Sequence, residues 1–387
     1  MSQAKVYFPG LNELRFFAAG LVVIHHLEYF KQILGLKSFL GNNFFGIIGG
    51  LGVTFFFVLS GFLITYLLLT EKNNNQTISI KKFYLRRILR IWPLYFLIVF
   101  LALYCLNKLD LFYIKDWTEN VSKNQFEKTI LYLLILPNIV AVLFYPVLFS
   151  SQLWSIGVEE QFYLLWPILL KYFRKTFRLL LTVIFLYITI VISLSFLKRT
   201  VTDKETLITL QNISDFVSLT RIDCMAIGGL GAYLLFSGWE KLIKFIFTTP
   251  FQILLYVLVM ALFMFGVTFK YFNMEIYSII FCLLILNISS NIRTILHLDN
   301  QILNYLGKIS YGIYMYHPIG IVMVLKLAKN IGFESNIFIW NLIIYCMVFG
   351  ITVSISVISY ELFEKKFINI KLKYSEIISG DNAKNIK

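Results

Sequence analysis

Cysteine pairs are missing from this chain. Its four cysteines, Cys105, Cys224, Cys282 and Cys346, lie singly in apolar stretches with no CxxC among them. Neither a cysteine metal motif nor a disulfide framework is therefore expected, and no metal is assigned. Charge is scarce as well, at 14% of 387 residues, and no polar stretch is large enough to fold alone as a soluble domain. No repeat of solenoid type is found. A cleavable signal peptide is not expected either, because the first apolar stretch carries Arg15 and has no small-residue cleavage site behind a short apolar core.

What fills the space is apolar. Hydrophobic residues make up 58% of the chain and mean hydropathy is +0.76, well above the roughly 45–50% apolar content of ordinary soluble domains. This composition reads as a polytopic membrane protein in contact with the lipid bilayer. Runs long enough to span fall near residues 14–34, 45–69, 91–106, 157–173, 177–197, 217–236, 247–268, 272–290, 310–328 and 338–362.

A net charge of +14 would suggest nucleic acid in a soluble protein, but with no soluble basic domain to carry it, no nucleic-acid partner is expected. The positives instead cluster beside spans. Lys72, Lys81, Lys82, Arg86, Arg87 and Arg90 lie between the second and third runs, Lys171, Arg174, Lys175 and Arg178 after the fourth, and Lys365, Lys366, Lys371 and Lys373 after the last. By the positive-inside bias all three groups are cytoplasmic. The segment at 129–149, broken by Pro137, Asn138 and Pro146, then cannot cross once and reads as re-entrant or interfacial. The expectation is an all-α bundle of about ten transmembrane helices over residues 1–375, both termini cytoplasmic, with a disordered cytoplasmic tail at 376–387.

Arg15 and His26 are eleven residues apart in one apolar run. At about 100° per residue they share one helical face, separated by about 16 Å of rise. Ionisable groups inside a membrane are expensive to keep and point to function. Arg87 and Arg90, at i and i+3 before Trp92-Pro93, offer guanidinium forks suited to phosphate; headgroup snorkelling is the plainer alternative. Ser155 and Glu159, at i and i+4 in Trp154-Ser155-Ile156-Gly157-Val158-Glu159-Glu160, are placed to converge on one ligand, while Glu160 points about 100° away. Ser310, Tyr314 and His317 form a polar stripe that should face a cavity. The small residues Gly49, Gly52, Ser60 and Gly61 read as helix packing. Arg221, Asp223, Glu361 and Glu364 complete the charges expected to be buried, with partners that spacing does not assign.

Taken in order, these segments resemble the acyltransferase family 3 membrane proteins, bacterial inner-membrane O-acyltransferases of surface polysaccharides. The resemblance covers essentially the whole chain. Arg15 through His26 is similar to the family's Arg-x10-His motif, which selects His26 over His25 by spacing. Phe55 to Phe62 is similar to FFxLSGF, Arg86 to Pro93 to RRxxRIxP, Trp154 to Tyr163 to WSLxxEEQFY, Ser310 to His317 to SYxxYxxH, and Tyr360 to Phe367 to the closing segment. Two departures stand out: Asn12-Glu13 replaces the usual Asp-Gly, and Lys366 the usual closing Pro. The SGNH esterase-like domain that some relatives append is not found here, so the membrane domain is expected to act alone or with a separate periplasmic partner.

The resemblance implies transfer of an acyl group, most often acetyl, from cytoplasmic acyl-CoA, a donor substrate rather than a bound cofactor, to a hydroxyl of a glycan or glycolipid outside. It makes His26 and Glu159 the catalytic pair, with His26 as general base or transient acyl carrier. Arg15, Arg87 and Arg90 would hold the CoA, and Ser155, Tyr314 and His317 would line the acceptor side. The competing reading from another class is a flippase or exporter of polysaccharide precursors. A glycan-binding scaffold without chemistry is a third.

Overall fold

The computed structural model describes residues 5–331, 337–375 and 377–380. The order of elements is β1 (Lys5–Val6), α1 (Leu11–Ile33), α2 (Asn43–Asn75), α3 (Ile80–Phe100), α4 (Lys115–Val121), α5 (Gln125–Leu133) and α6 (Pro137–Leu143). Next come α7 (Trp154–Tyr172), α8 (Thr176–Thr200), α9 (Lys204–Thr220), α10 (Ile222–Phe236), α11 (Glu240–Ile246) and α12 (Thr249–Met264). The chain closes with α13 (Asn273–Ser290), α14 (Gln301–Lys308), α15 (Ser310–Ile331), α16 (Ile337–Ser359), α17 (Lys365–Leu372) and β2 (Ile378–Ser379).

Each apolar run has its helix. Among the described residues seven helical stretches are long and apolar enough to cross a membrane, and α11 with α12, bent by 59° at a short break, is an eighth when the pair is counted as one span. The 23 residues of α1 and the 19 of α7 are of spanning length too, and their polar residues set them apart in composition. Residues 129–149 form only short pieces, the end of α5 and the seven-residue α6, too short to cross. The protein is an all-α polytopic membrane bundle. Some boundaries differ from the apolar runs because a helix does not stop where hydropathy does. The third run was read from residue 91, but α3 begins at Ile80 and carries its arginines in its first turns. The run at 217–236 is split at Arg221, whose left-handed backbone (φ 38°) ends α9 and starts α10.

The bundle turns on α2. Its Gly61 lies where an added Cβ would come 1.9 Å from the Met225 carbonyl oxygen, and a Cβ added at Gly228 of α10 would come the same 1.9 Å from that of Val58. Two backbones can touch so closely only where neither carries a side chain. Gly52 likewise abuts the Ala18 carbonyl, bringing α1 against the same helix.

All three positive groups meet at one end. Lys72 Nζ donates to the Leu170 and Phe173 carbonyls at the end of α7 (2.6 and 3.2 Å). Arg86 pairs with Glu71 at 3.2 Å and donates to the Tyr374 carbonyl at 3.0 Å. There β1 and β2 pair in parallel, Lys5 opposite Ile378, so the described chain ends lie side by side. Of the tail set apart at 376–387, Ile378 and Ser379 pair with β1 and the Gly380 N–H donates to the Val6 carbonyl at 3.2 Å, backbone contacts that composition does not reveal. Residues 376 and 381–387 lie outside the described residues. At the other end, α4 to α6 and their loops cap the bundle, tied in by Tyr95 donating to the Tyr132 carbonyl (2.9 Å) and Lys326 to that of Tyr113 (2.7 Å).

Candidate active site

Two cavities lie within this bundle. The larger, about 510 Å³, opens at the basic end beside both chain ends. Its walls carry Arg15 from α1, Arg86, Arg87 and Arg90 from α3, and Lys365 and Lys371 beyond α16. Among the described residues Arg86 alone of these arginines pairs with a carboxylate. Arg87 instead lays its guanidinium over the rings of Phe83 and Tyr163 (5.6 and 5.2 Å), and its Nε has no partner among the described residues. Among the described residues Arg15 donates to Asn12 Oδ1, at 3.0 Å. Cations that outnumber the carboxylates Glu71, Glu159 and Glu364 in the same walls make a site for an anion.

Deeper in the same cavity sits Glu159. Its Oε1 accepts from Ser60 Oγ (2.7 Å) and its Oε2 from the Tyr163 hydroxyl (3.2 Å). Glu160, one residue on, turns away and accepts from Trp92 Nε1 at 2.9 Å. Ser155 and Tyr314 line this cavity too, their hydroxyls 2.7 Å apart, with Tyr314 donating to the Gln152 carbonyl at 2.9 Å. Ser155 and Glu159, placed to converge by their spacing, thus take separate partners.

The smaller cavity, about 300 Å³, lies under the α4–α6 cap and has His26 in its wall beside Tyr29, Trp117, Gln152 and Trp154. Arg15 and His26 therefore stand at different cavities on one continuous helix. Their contacts explain how His26 is held. Pro318 has no N–H, so within α15 the Tyr314 carbonyl loses its usual i+4 donor. His317 Nδ1, at 2.7 Å, donates to that carbonyl instead. A neutral His317 protonated at Nδ1 must accept at Nε2, and Nε2 lies 3.0 Å from His26 Nδ1, the two rings stacked at 4.8 Å. His26 Nδ1 is then the donor, which leaves the lone pair of a neutral His26 on Nε2. A proline on α15 thus sets the tautomer of a histidine on α1.

His25 faces elsewhere. Its Nδ1 donates to the Phe45 carbonyl at 2.7 Å, and its ring fills the space beside Gly49. His26 has His317 and not Glu159 as its hydrogen-bonding partner.

A family described as Acyltransferase domain matches residues 8–361. The chain belongs to this acyltransferase family. It is 31% identical over 189 residues to the peptidoglycan O-acetyltransferase OatA of Listeria monocytogenes, covering 44% of this chain and 25% of that protein. It is 30% identical over 190 residues to the O-acetyltransferase OatA of Staphylococcus aureus, covering 44% and 26%. A putative O-acetyltransferase of Staphylococcus aureus is 24% identical over 389 residues, 93% of this chain and 57% of that protein. The chain thus spans about a quarter of the length of the first two relatives and just over half of the third. No solved structure matches it.

Within the family region, several site residues escaped the reading of motifs. Ser60, which by sequence reads as packing with its glycine neighbours, donates to Glu159 and accepts from Tyr163 at 3.1 Å. Arg221 reaches from the α9–α10 break to Thr54 Oγ1 (2.9 Å) and the Gly50 carbonyl (3.2 Å), with its guanidinium over Trp154 at 5.6 Å. A lone arginine in an apolar run was the available signal; its partners, 167 and 171 residues away, were not. Glu364, buried at the basic cavity, accepts from Ser359 at 2.9 Å, while Glu361 pairs with Lys365 at 2.7 Å on the exposed side.

Proposed function

We propose that this protein is a membrane O-acyltransferase that takes an acyl group, most simply acetyl, from acyl-CoA in the basic cavity and transfers it to a hydroxyl of a glycan or glycolipid in the aromatic cavity. The observation that carries the reading is the His26 Nε2 lone pair at the wall of the second cavity, oriented by His317, on the same helix that presents Arg15 to the first. Family membership and the O-acetyltransferase names of the relatives support the chemistry. Arg87, Arg90 and Arg15 would hold the CoA phosphates and the entry of its pantetheine arm.

In the transfer, His26 Nε2 takes the proton of the attacking hydroxyl as its oxygen bonds to the thioester carbonyl carbon. The C–S bond then breaks, and the departing sulfur takes the proton from His26, so the thiol of CoA and an O-acyl ester are the products. His317 would stabilise the imidazolium between the two steps, the part played by a third group behind many catalytic bases. Glu159, fixed by Ser60 and Tyr163, would orient the reacting groups from the wall of the basic cavity. By the positive-inside bias the basic end and both termini face the cytoplasm of the bacterial inner membrane, and the capped end faces outward.

The test uses membranes containing the protein, acetyl-CoA and a glycan acceptor, and follows the release of CoA thiol. Acceptor-dependent release that His26→Ala abolishes is expected. An exporter would move glycan without consuming acetyl-CoA, and a scaffold would be indifferent to His26; either outcome sinks the proposal. Acetyl label retained on the protein before acceptor is added, and lost with His26→Ala, would make His26 a carrier rather than a base.

A further inference from the structure

The aromatic cavity has a feature that catalysis by His26 does not use. Gln152 is 2% exposed at its wall, just before α7. Its Nε2 donates to the Phe149 carbonyl (2.9 Å) and the Met315 carbonyl (3.0 Å). Two carbonyls on one atom fix which end of the amide is nitrogen, because a flipped amide would set oxygen against both. Gln152 Oε1 is then left with no partner among the described residues. A buried amide oxygen without a donor is costly to maintain and is satisfied by whatever donor comes to lie there.

The surrounding wall narrows what that donor belongs to. It includes Tyr29, Trp117 and Trp154 with Pro137 and Pro146, and no Lys, Arg, Asp or Glu. Flat aromatic and proline faces suit the apolar C–H face of a sugar ring, and a wall without charge disfavours a phosphate or carboxylate. At about 300 Å³ the cavity is at the low end for small-molecule sites and takes one ring rather than a length of polymer.

We infer that the aromatic cavity is the acceptor subsite for a single uncharged pyranose ring, stacked on the Tyr29 face and donating a hydroxyl or acetamido N–H to Gln152 Oε1. The inference rests on the proposed O-acyltransferase reading. It adds that the ring held there is uncharged, and a residue, Gln152, that reads it. Tyr29, 36% exposed, is a contact face that can be removed with little demand on the core.

The experiment measures acetyl transfer in membranes to a neutral β-1,4-linked N-acetylglucosamine tetramer, to forms of it lacking one hydroxyl other than the acylated one or lacking the acetamido group, and to an oligomer of uronic acids. The wild type is expected to prefer the neutral tetramer and to lose about tenfold in kcat/KM when one particular donor group is removed. Gln152→Met should erase that discrimination, and Tyr29→Ala should raise the acceptor KM about tenfold while the donor KM stays in place. Phe126→Ala, an exposed ring that does not line the cavity, serves as control. No acylation of any oligomer by the wild type overturns the functional reading and this inference with it. Acylation with no dependence on any donor group, an unchanged acceptor KM in Tyr29→Ala, or preference for the uronic acid overturns the inference alone. The wild-type comparison of acceptors decides the case even if Gln152→Met does not fold.

Discussion

The pairing of His26 with His317 depends on single atoms. Pro318 removes one N–H, the Tyr314 carbonyl takes His317 Nδ1 in its place, and the lone pair of His26 is thereby directed to Nε2. Replacing Pro318 by Ala restores a backbone donor that competes for that carbonyl. The expected result is a kcat roughly tenfold lower at unchanged melting temperature, because the base loses its fixed tautomer rather than its fold. His26→Ala should cost at least about 100-fold in kcat with normal protein levels, read by CoA release. Arg90→Ala should raise the acyl-CoA KM, and Arg90→Lys should restore it only in part, since a point charge lacks the bidentate fork. An unchanged donor KM in both would assign Arg90 to headgroup contact.

Among the helices, the tightest constraint is the crossing of α2 and α10. Gly61 and Gly228 each face a carbonyl oxygen of the other helix, at a distance no Cβ can share. Gly61→Val should destabilise the protein by about 1–3 kcal/mol or more by forcing the backbones apart, a loss visible in thermal unfolding in detergent. Gly350→Ala in α16, where nothing lies within 4 Å of an added Cβ, should be neutral or gain up to about 1 kcal/mol in helix propensity. Equal effects at the two positions would refute the crossing. The same α2 that is pinned by Gly61 presents Ser60 to Glu159, so displacement of this crossing also disturbs the site.

Across the whole molecule, charge is sorted by end. The loop after α2, the end of α7 and the segment after α16 meet through Lys72 and Arg86, and the cap over His26 occupies the opposite end. In a background without Cys105 and Cys346, Asn75→Cys and Tyr374→Cys should react with a membrane-impermeant thiol reagent from the same side, and Lys123→Cys from the other. Labelling of Asn75→Cys and Tyr374→Cys from opposite sides would contradict an even number of crossings between them and the shared basic end.

Membrane class, the approximate spans and the clustering of positives were legible in the chain because each depends on neighbours within a turn or on local composition. Hydropathy and helical period are local properties. The choice between roles was not legible, because it lies in contacts across the bundle: His26 with His317 over 291 residues, Ser60 with Glu159 over 99, Gln152 with Met315 over 163. Glu159 and Ser155, neighbours on one helix, turned out to have separate partners on other helices. Hydrogen-bond partners are set by which helices pack face to face, and that follows from where glycines let backbones approach, a decision made only when the whole bundle closes.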